Sequence, residues 1–163
     1  AADPYVKNVG ADEGIELVDL ERLLQESDLI SIHVPLLPET RGMIGAAAFK
    51  LMKPTAVVVN TSRGPVVDQD ALIAALQEKR LGGAALDVMA EEPLPAASRL
   101  RDFDSVILTP HTGADSIDSM AHVRRTVVES VSAGLNGFWP PFPVNAKVTP
   151  QAALQPFTEF REL

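Results

Sequence analysis

The sequence predicts an α/β layered sheet of parallel strands, and three observations carry that expectation. Short, apolar, branched-residue segments recur at 29–34, 56–59, 84–88 and 106–108. Segments with apolar residues at helical spacing alternate with them. The strand candidates read as apolar throughout, whereas an antiparallel sheet with one wet face would alternate residue by residue.

The first helix candidate, 17–25, gathers Leu17, Leu20, Leu23 and Leu24 on one side, with Asp19 as its cap and Ser27-Asp28 as its break. The strand at 29–34 then stops at Pro35. Residues 46–52 suit a short helix broken by Lys53-Pro54, 56–59 an all-apolar strand, and 61–64 a polar loop. Asp68 can cap a helix whose stripe is Leu72, Ile73, Ala75 and Leu76, ending near Gly82-Gly83. The strands at 84–88 and 106–108 are separated by a loop in which Pro93 and Pro95 forbid regular pairing. From Ser116, the spacing of Ile117, Met120, Val123, Val127 and Val131 predicts one long helix closed by Gly134 and Gly137. His122, on its exposed side, receives no role. A Pro-rich connection over 139–143 leads into the tail.

Composition excludes several functions. The 163 residues suit about one domain, and 14 basic against 22 acidic residues give a net charge of −8 with no basic run to track a phosphate backbone, so nucleic acid is not an expected partner. The absence of Cys excludes disulfides, a thiolate nucleophile and Cys-based metal sites, and no metal is assigned. No apolar run approaches the ~20 residues of a membrane helix, and no signal pattern is seen at the N-terminus, so a soluble, cytoplasmic protein is expected. The chain begins Ala-Ala-Asp-Pro rather than with Met, as expected of a processed or truncated piece of a longer polypeptide.

In a parallel α/β sheet, ligands sit beyond the carboxyl ends of the strands. The residues there are His33-Val34-Pro35, Asn60-Thr61-Ser62-Arg63-Gly64, Asp87 to Pro93, and Thr109-Pro110-His111. An Arg, a Glu and a His at neighbouring strand ends offer a cation for a substrate carboxylate, a proton-transfer group and an acid to tune it, a set suited to redox chemistry on a hydroxy acid.

Those residues sit in longer strings: His33-Val34-Pro35-Leu36 with Glu39-Thr40, Met52-Lys53-Pro54, Asn60-Thr61-Ser62-Arg63-Gly64, Gly83-Ala84-Ala85-Leu86-Asp87-Val88, Glu92-Pro93 and Thr109-Pro110-His111-Thr112-Gly113-Ala114. In this order the strings resemble the D-isomer-specific 2-hydroxyacid dehydrogenase family, and look most like its phosphoglycerate dehydrogenase branch. The resemblance runs from about Asp3 to Asn145. It implies a Rossmann-like parallel sheet with helices on both faces, incomplete, with a partial NAD-binding domain over 1–145 and a tail over 146–163. It further implies hydride transfer between a D-2-hydroxy acid and NAD, a small 2-hydroxy or 2-keto acid as substrate, and a homodimer.

Carried residue by residue, the resemblance makes Arg63 the holder of the substrate carboxylate. His111 becomes the acid-base group, and Glu92 the carboxylate that stabilises its imidazolium. Formate dehydrogenases of the same superfamily are expected to carry an amide where this chain keeps Glu92, which disfavours formate as substrate. Asp3 would bind the adenosine ribose and repel a 2′-phosphate, favouring NAD over NADP. Val34 and Pro35 would border the adenine, with His33 lining the same cleft; Thr61 and Ser62 would contact the cofactor ahead of Arg63. Asp87 would bond the nicotinamide amide, and Gly113-Ala114 would let backbone approach the ring beside His111.

The sequence also departs from the family. It contains no G-x-G-x-x-G turn, and neither the first strand with its helix nor the discontinuous substrate domain is seen. This polypeptide alone is therefore expected to bind NAD weakly or not at all, with one sheet face and one edge uncovered. Ser116 stands where the family usually has Thr.

Read singly, each residue also fits a structural role. Arg63 suits a surface ion pair, His111 a hydrogen-bonded loop, Glu92 a solvated turn, Asp3 a turn before Pro4, Asp87 a turn cap and His33 a strand end. Their joint occurrence in order favours the functional reading, with Arg63, Glu92 and His111 converging on one pocket. The alternative is a non-catalytic dinucleotide-sensing module of the corepressor type.

Overall fold

The computed structural model describes residues 1–9, 14–145 and 153–156. The chain divides into two compact units, Ala1–Gly113 and Ala114–Leu163. Most of the expected tail at 146–163 lies outside the described residues.

The first unit is a four-stranded parallel sheet in the order β1-β2-β3-β4, formed by Leu29–Ile32, Val57–Asn60, Gly83–Leu86 and Val106–Leu108. Ile30 lies beside Val58, Val58 beside Ala84, and Ala84 beside Val106. Helix α1 (Leu20–Glu26) precedes β1, α2 (Ala46–Leu51) connects β1 to β2, and α3 (Gln69–Gln77) connects β2 to β3. Strand order that advances in one direction through right-handed crossovers places α2 and α3 on the same face. Burial agrees: Ile30, Ile32, Val58, Ala84 and Leu86 join Leu24, Phe49, Leu72 and Leu76 in one core. On the other face Leu29 is 63% and Ile107 66% exposed, so the incomplete sheet has the open face expected of it. Among the described residues the sheet has two edges, β1, which pairs only with β2, and β4, which pairs only with β3.

Caps fix the helix starts. Asp19 accepts a hydrogen bond from the Arg22 amide at 2.7 Å, and Asp68 one from the Ala71 amide at 3.1 Å, as their positions predict.

Several expectations in this unit need correction, among them the strand at 84–88, which runs Gly83–Leu86. The helix expected to reach Gly82-Gly83 ends at Gln77, because Lys79 turns left-handed at φ 54°. The Arg80 amide then bonds the Ala75 carbonyl and the Lys79 amide the Leu76 carbonyl, closing the last turn. The two glycines serve close approach instead: a Cβ on Gly82 would lie 2.5 Å from the Thr55 carbonyl oxygen, and one on Gly83 2.5 Å from that of Ser105. The first strand ends at Ile32 rather than Val34, since its partner β2 ends at Asn60, the residue paired with Ile32. The loop containing Pro93 and Pro95 also carries an unexpected 3-10 turn, Arg99–Asp102, which buries Leu100. Another 3-10 turn, Gly64–Val66, follows the 61–63 loop.

The second unit contains α4, Ile117–Leu135. Ser116 and Ser119 form a reciprocal capping box at its start, which gives Ser116 a definite structural role. Gly134 lies inside α4 rather than closing it, and Gly137, at φ 80°, makes the terminating turn. Among the described residues, no helix is long and apolar enough to cross a membrane.

Candidate active site

Because all four strands are parallel, their carboxyl ends share one edge of the sheet, and the loops at 33–40, 61–68, 87–105 and 109–113 emerge there. The first loop is tied internally: the Thr40 hydroxyl donates to the Pro35 carbonyl at 2.6 Å and accepts from the Leu37 amide at 2.8 Å. His33 Nε2 and the Ser31 hydroxyl are 2.8 Å apart.

The second loop is organised by Asn60, fully buried at the end of β2. Its Oδ1 accepts from the Ser62 amide at 3.0 Å and the Ser62 hydroxyl at 2.9 Å, and its Nδ2 donates to the Arg63 carbonyl at 3.1 Å. Arg63 is exposed, and its Nη1 donates to the Ser62 carbonyl at 2.6 Å. With the backbone held this way, Arg63 and Ser62 line a cleft with His33, Val34, Pro35 and Leu36. Gly64 is buried directly against the Met89 peptide, and any Cβ there would be driven into the Met89 carbonyl.

The third and fourth loops meet at His111 and Glu92. His111 Nδ1 lies 2.7 Å from Glu92 Oε2, while Glu92 Oε1 accepts from the Met89 amide at 2.9 Å. These contacts hold the Glu92 carboxyl below its ordinary range, the His111 hydrogen bond contributing most. The two side chains remain 49% and 33% exposed, so solvent screens the pair and its consequence is orientation rather than stability. With Nδ1 engaged by a carboxylate, Nε2 is the nitrogen presented outward. The pair lines a cavity of about 520 Å³ with Met89, Leu94, Arg101 and Leu108 among its walls.

His111 has left-handed backbone, φ 56°, which is uncommon for a residue with a side chain. Buried Asp87 stabilises that loop. Its Oδ1 accepts from the Thr109 hydroxyl at 2.5 Å and the Thr112 amide at 2.9 Å, and its Oδ2 from the Gly113 amide at 2.8 Å. These bonds, the Thr109 hydroxyl foremost, hold the Asp87 carboxyl below its ordinary range. A Cβ on Gly113 would come within 2.9 Å of Asp87 Oδ2, so the backbone can approach the carboxylate only without a side chain.

His111, Glu92, Asp87 and Gly113 are therefore brought together, and His33, Val34, Pro35, Ser62 and Arg63 form a second group. Arg63 does not line the His111 cavity. Thr61 is exposed beside the second group. Asp3 joins neither group: its Oδ1 accepts from the Tyr5 and Val6 amides at 2.8 and 3.2 Å, the turn that its position before Pro4 suggests. Ala114 belongs to the second unit, where its carbonyl accepts from the Ser116 amide at 3.0 Å.

Two contributors were not singled out by the sequence reading. Asn60 was legible as a polar residue closing an apolar strand. Arg101 gave no signal, because its relation to the cavity comes from the 3-10 turn.

The residues suit parts of a dinucleotide. Apolar Val34, Pro35 and Leu36 beside polar Ser62 and Arg63 match a heteroaromatic ring joined to a ribose. No glycine-rich phosphate turn occurs in the sequence.

Comparison with known proteins points the same way. The family model described as D-isomer specific 2-hydroxyacid dehydrogenase, NAD binding domain, matches residues 1–113. A D-3-phosphoglycerate dehydrogenase of Synechocystis sp. is 46% identical over 138 residues, which cover 84% of this chain and 25% of that protein. A glyoxylate reductase of Korarchaeum cryptofilum is 46% identical over 135 residues, covering 83% of this chain and 41% of the relative. The crystal structure of D-lactate dehydrogenase with NAD+ from Lactobacillus jensenii superposes with a TM-score of 0.80 at 32% identity, over 88% of this chain and 47% of that one. The chain thus spans less than half the length of each.

Proposed function

Because this chain belongs to the D-isomer-specific 2-hydroxyacid dehydrogenase family, we propose that it carries the acid-base and cofactor-facing residues of an oxidoreductase interconverting a D-2-hydroxy acid and its 2-keto acid, most like a phosphoglycerate dehydrogenase. The observation that carries this reading is the 2.7 Å contact between His111 Nδ1 and Glu92 Oε2.

That contact fixes the chemistry available to His111. A carboxylate accepts from Nδ1–H, so the neutral ring offers its Nε2 lone pair to a hydroxyl proton. When Nε2 takes the proton, Glu92 lies next to the resulting imidazolium and stabilises it. In the reduction direction Nε2–H returns the proton to the carbonyl oxygen. Asp87 holds the backbone that aims the ring. Arg63 binds the substrate carboxylate, for which a planar guanidinium is suited. NAD, when bound, supplies the hydride acceptor. His33, Val34, Pro35, Thr61 and Ser62 would hold its adenosine side, with Asp3 at the ribose, and Asp87 and Gly113 would face its nicotinamide. We further propose a cytoplasmic homodimer.

The test is turnover by the full-length protein that carries this chain, followed by nicotinamide absorbance with NADH and a series of 2-keto acids. His111→Asn is the informative variant, because Asn tolerates left-handed backbone. Its kcat is expected to fall about 100-fold or more, with NADH binding still detectable by fluorescence. Turnover equal to that of the unsubstituted protein would refute the acid-base assignment.

A further inference from the structure

We propose that Arg101 is a specificity residue, selecting 2-keto and 2-hydroxy acids that carry a second anionic group on their tail; this rests on the dehydrogenase reading above. Arg101 lines the same cavity as His111 and Glu92. Its position is built in from two sides. The preceding residue, Leu100, is anchored in the core at 1% exposure, which fixes the 3-10 turn. The guanidinium donates to the Leu94 carbonyl from Nη2 at 3.2 Å and, through Nε, to the Pro95 carbonyl at 3.4 Å. Both acceptors are neutral, so the positive charge is oriented but not compensated.

Charge within the cavity sharpens the inference. Its one lining carboxylate, Glu92, is committed to His111 and the Met89 amide. Among the described residues Arg101 forms no ion pair. Leu94, Leu108 and Met89 supply apolar walls, which strengthen attraction between the guanidinium and an anion. The volume of about 520 Å³ falls in the range of small-ligand sites and exceeds what a two- or three-carbon acid needs. A guanidinium with unused N–H donors suits either a carboxylate or a phosphate monoester.

The experiment compares tails in the full-length protein carrying this chain. The substrates are 2-oxoglutarate and 3-phosphohydroxypyruvate, each set against 2-oxobutanoate, whose tail is neutral. The readout is the ratio of kcat/KM for each dianionic acid to that for the neutral-tailed acid. In Arg101→Met the ratio for the preferred dianion is expected to fall about 30-fold, mostly through KM, as loss of a charged hydrogen bond would give. Arg101→Lys is expected to restore part of it. The arm that loses its preference tells a carboxylate from a phosphate. An unchanged ratio in Arg101→Met, including an equal loss on all substrates from a disturbed 92–95 loop, would overturn the proposal alone. So would an unsubstituted protein that reduces 2-keto acids without preferring a dianion. An unsubstituted protein that reduces none would overturn the dehydrogenase reading along with it.

Discussion

Replacing Asp87 with Asn isolates the device that holds the His111 loop. The substitution preserves shape and changes acceptor number. The carboxylate accepts at both oxygens, two bonds at Oδ1 and one at Oδ2. An amide has one oxygen. With that oxygen toward Thr109 and Thr112, its NH2 faces the Gly113 amide; flipped, its NH2 faces the Thr112 amide. Either way a backbone donor is left pointing at another donor in a buried site, which costs about 2 kcal/mol and lowers Tm by about 8 °C. Local opening should increase too, so amide exchange at Thr112 and Gly113 should accelerate more than at Ala84 in the sheet. The pH dependence has a definite sign. Asp87 is held below its ordinary value in the fold, first by the Thr109 hydroxyl and then by the two amides. Its stabilisation is therefore complete above the unfolded value, near pH 4, and is lost as pH falls through the lower folded value. Asn does not titrate, and Glu92 titrates in both proteins. The gap in unfolding free energy between the two proteins, read from urea titrations, should accordingly be constant from about pH 7 to 5 and narrow below about pH 4. A gap under about 0.5 kcal/mol at neutral pH, or one that does not narrow in acid, would refute the clamp.

Two further substitutions test the frame around it. Gly64→Ala forces a methyl into the Met89 carbonyl, where only backbone can yield; it should destabilise the chain by about 3 kcal/mol, read as a urea midpoint, and Gly134→Ala, with open space around it, is the control expected to be neutral or stabilising. Ser116→Ala removes the acceptor for the Ser119 amide at 3.0 Å and should lower stability by about 1 kcal/mol, with Ser116→Thr restoring most of it, both read by thermal melting followed by circular dichroism.

The parts of this fold written locally were legible. Asp19 and Asp68 cap the helices they precede because one side-chain oxygen reaches an amide three residues on, a purely local event. The strands were legible because they enter the core; that β1 alternates between exposed and buried residues, with Leu29 and Ser31 outward, depends on what covers the sheet. Gly82-Gly83 read as a helix terminator, yet Lys79 does that work and the glycines admit the neighbouring backbone of Thr55 and Ser105. The pairing of His111 with Glu92 came from resemblance to a family, since no periodicity joins residues 19 positions apart. Asp87 shows the same limit. Its three donors lie 22 to 26 residues further along the chain, so its choice between ligand and loop could not be read locally.

Arg63 lines a cleft with His33 and Ser62 while His111 lines a cavity with Glu92, and a chain of contacts holds the two loops in register. Here the link runs through backbone: Gly64, next to Arg63, rests on the Met89 peptide; the Met89 amide holds Glu92; and Glu92 holds His111. Each step is a short contact involving a main-chain group or a carboxylate, and none involves the Arg63 side chain. The arginine can therefore adjust to a bound carboxylate while the acid-base pair stays fixed. It follows that Gly64 and Glu92 are links in the geometry between the two groups, and substitution at either disturbs it.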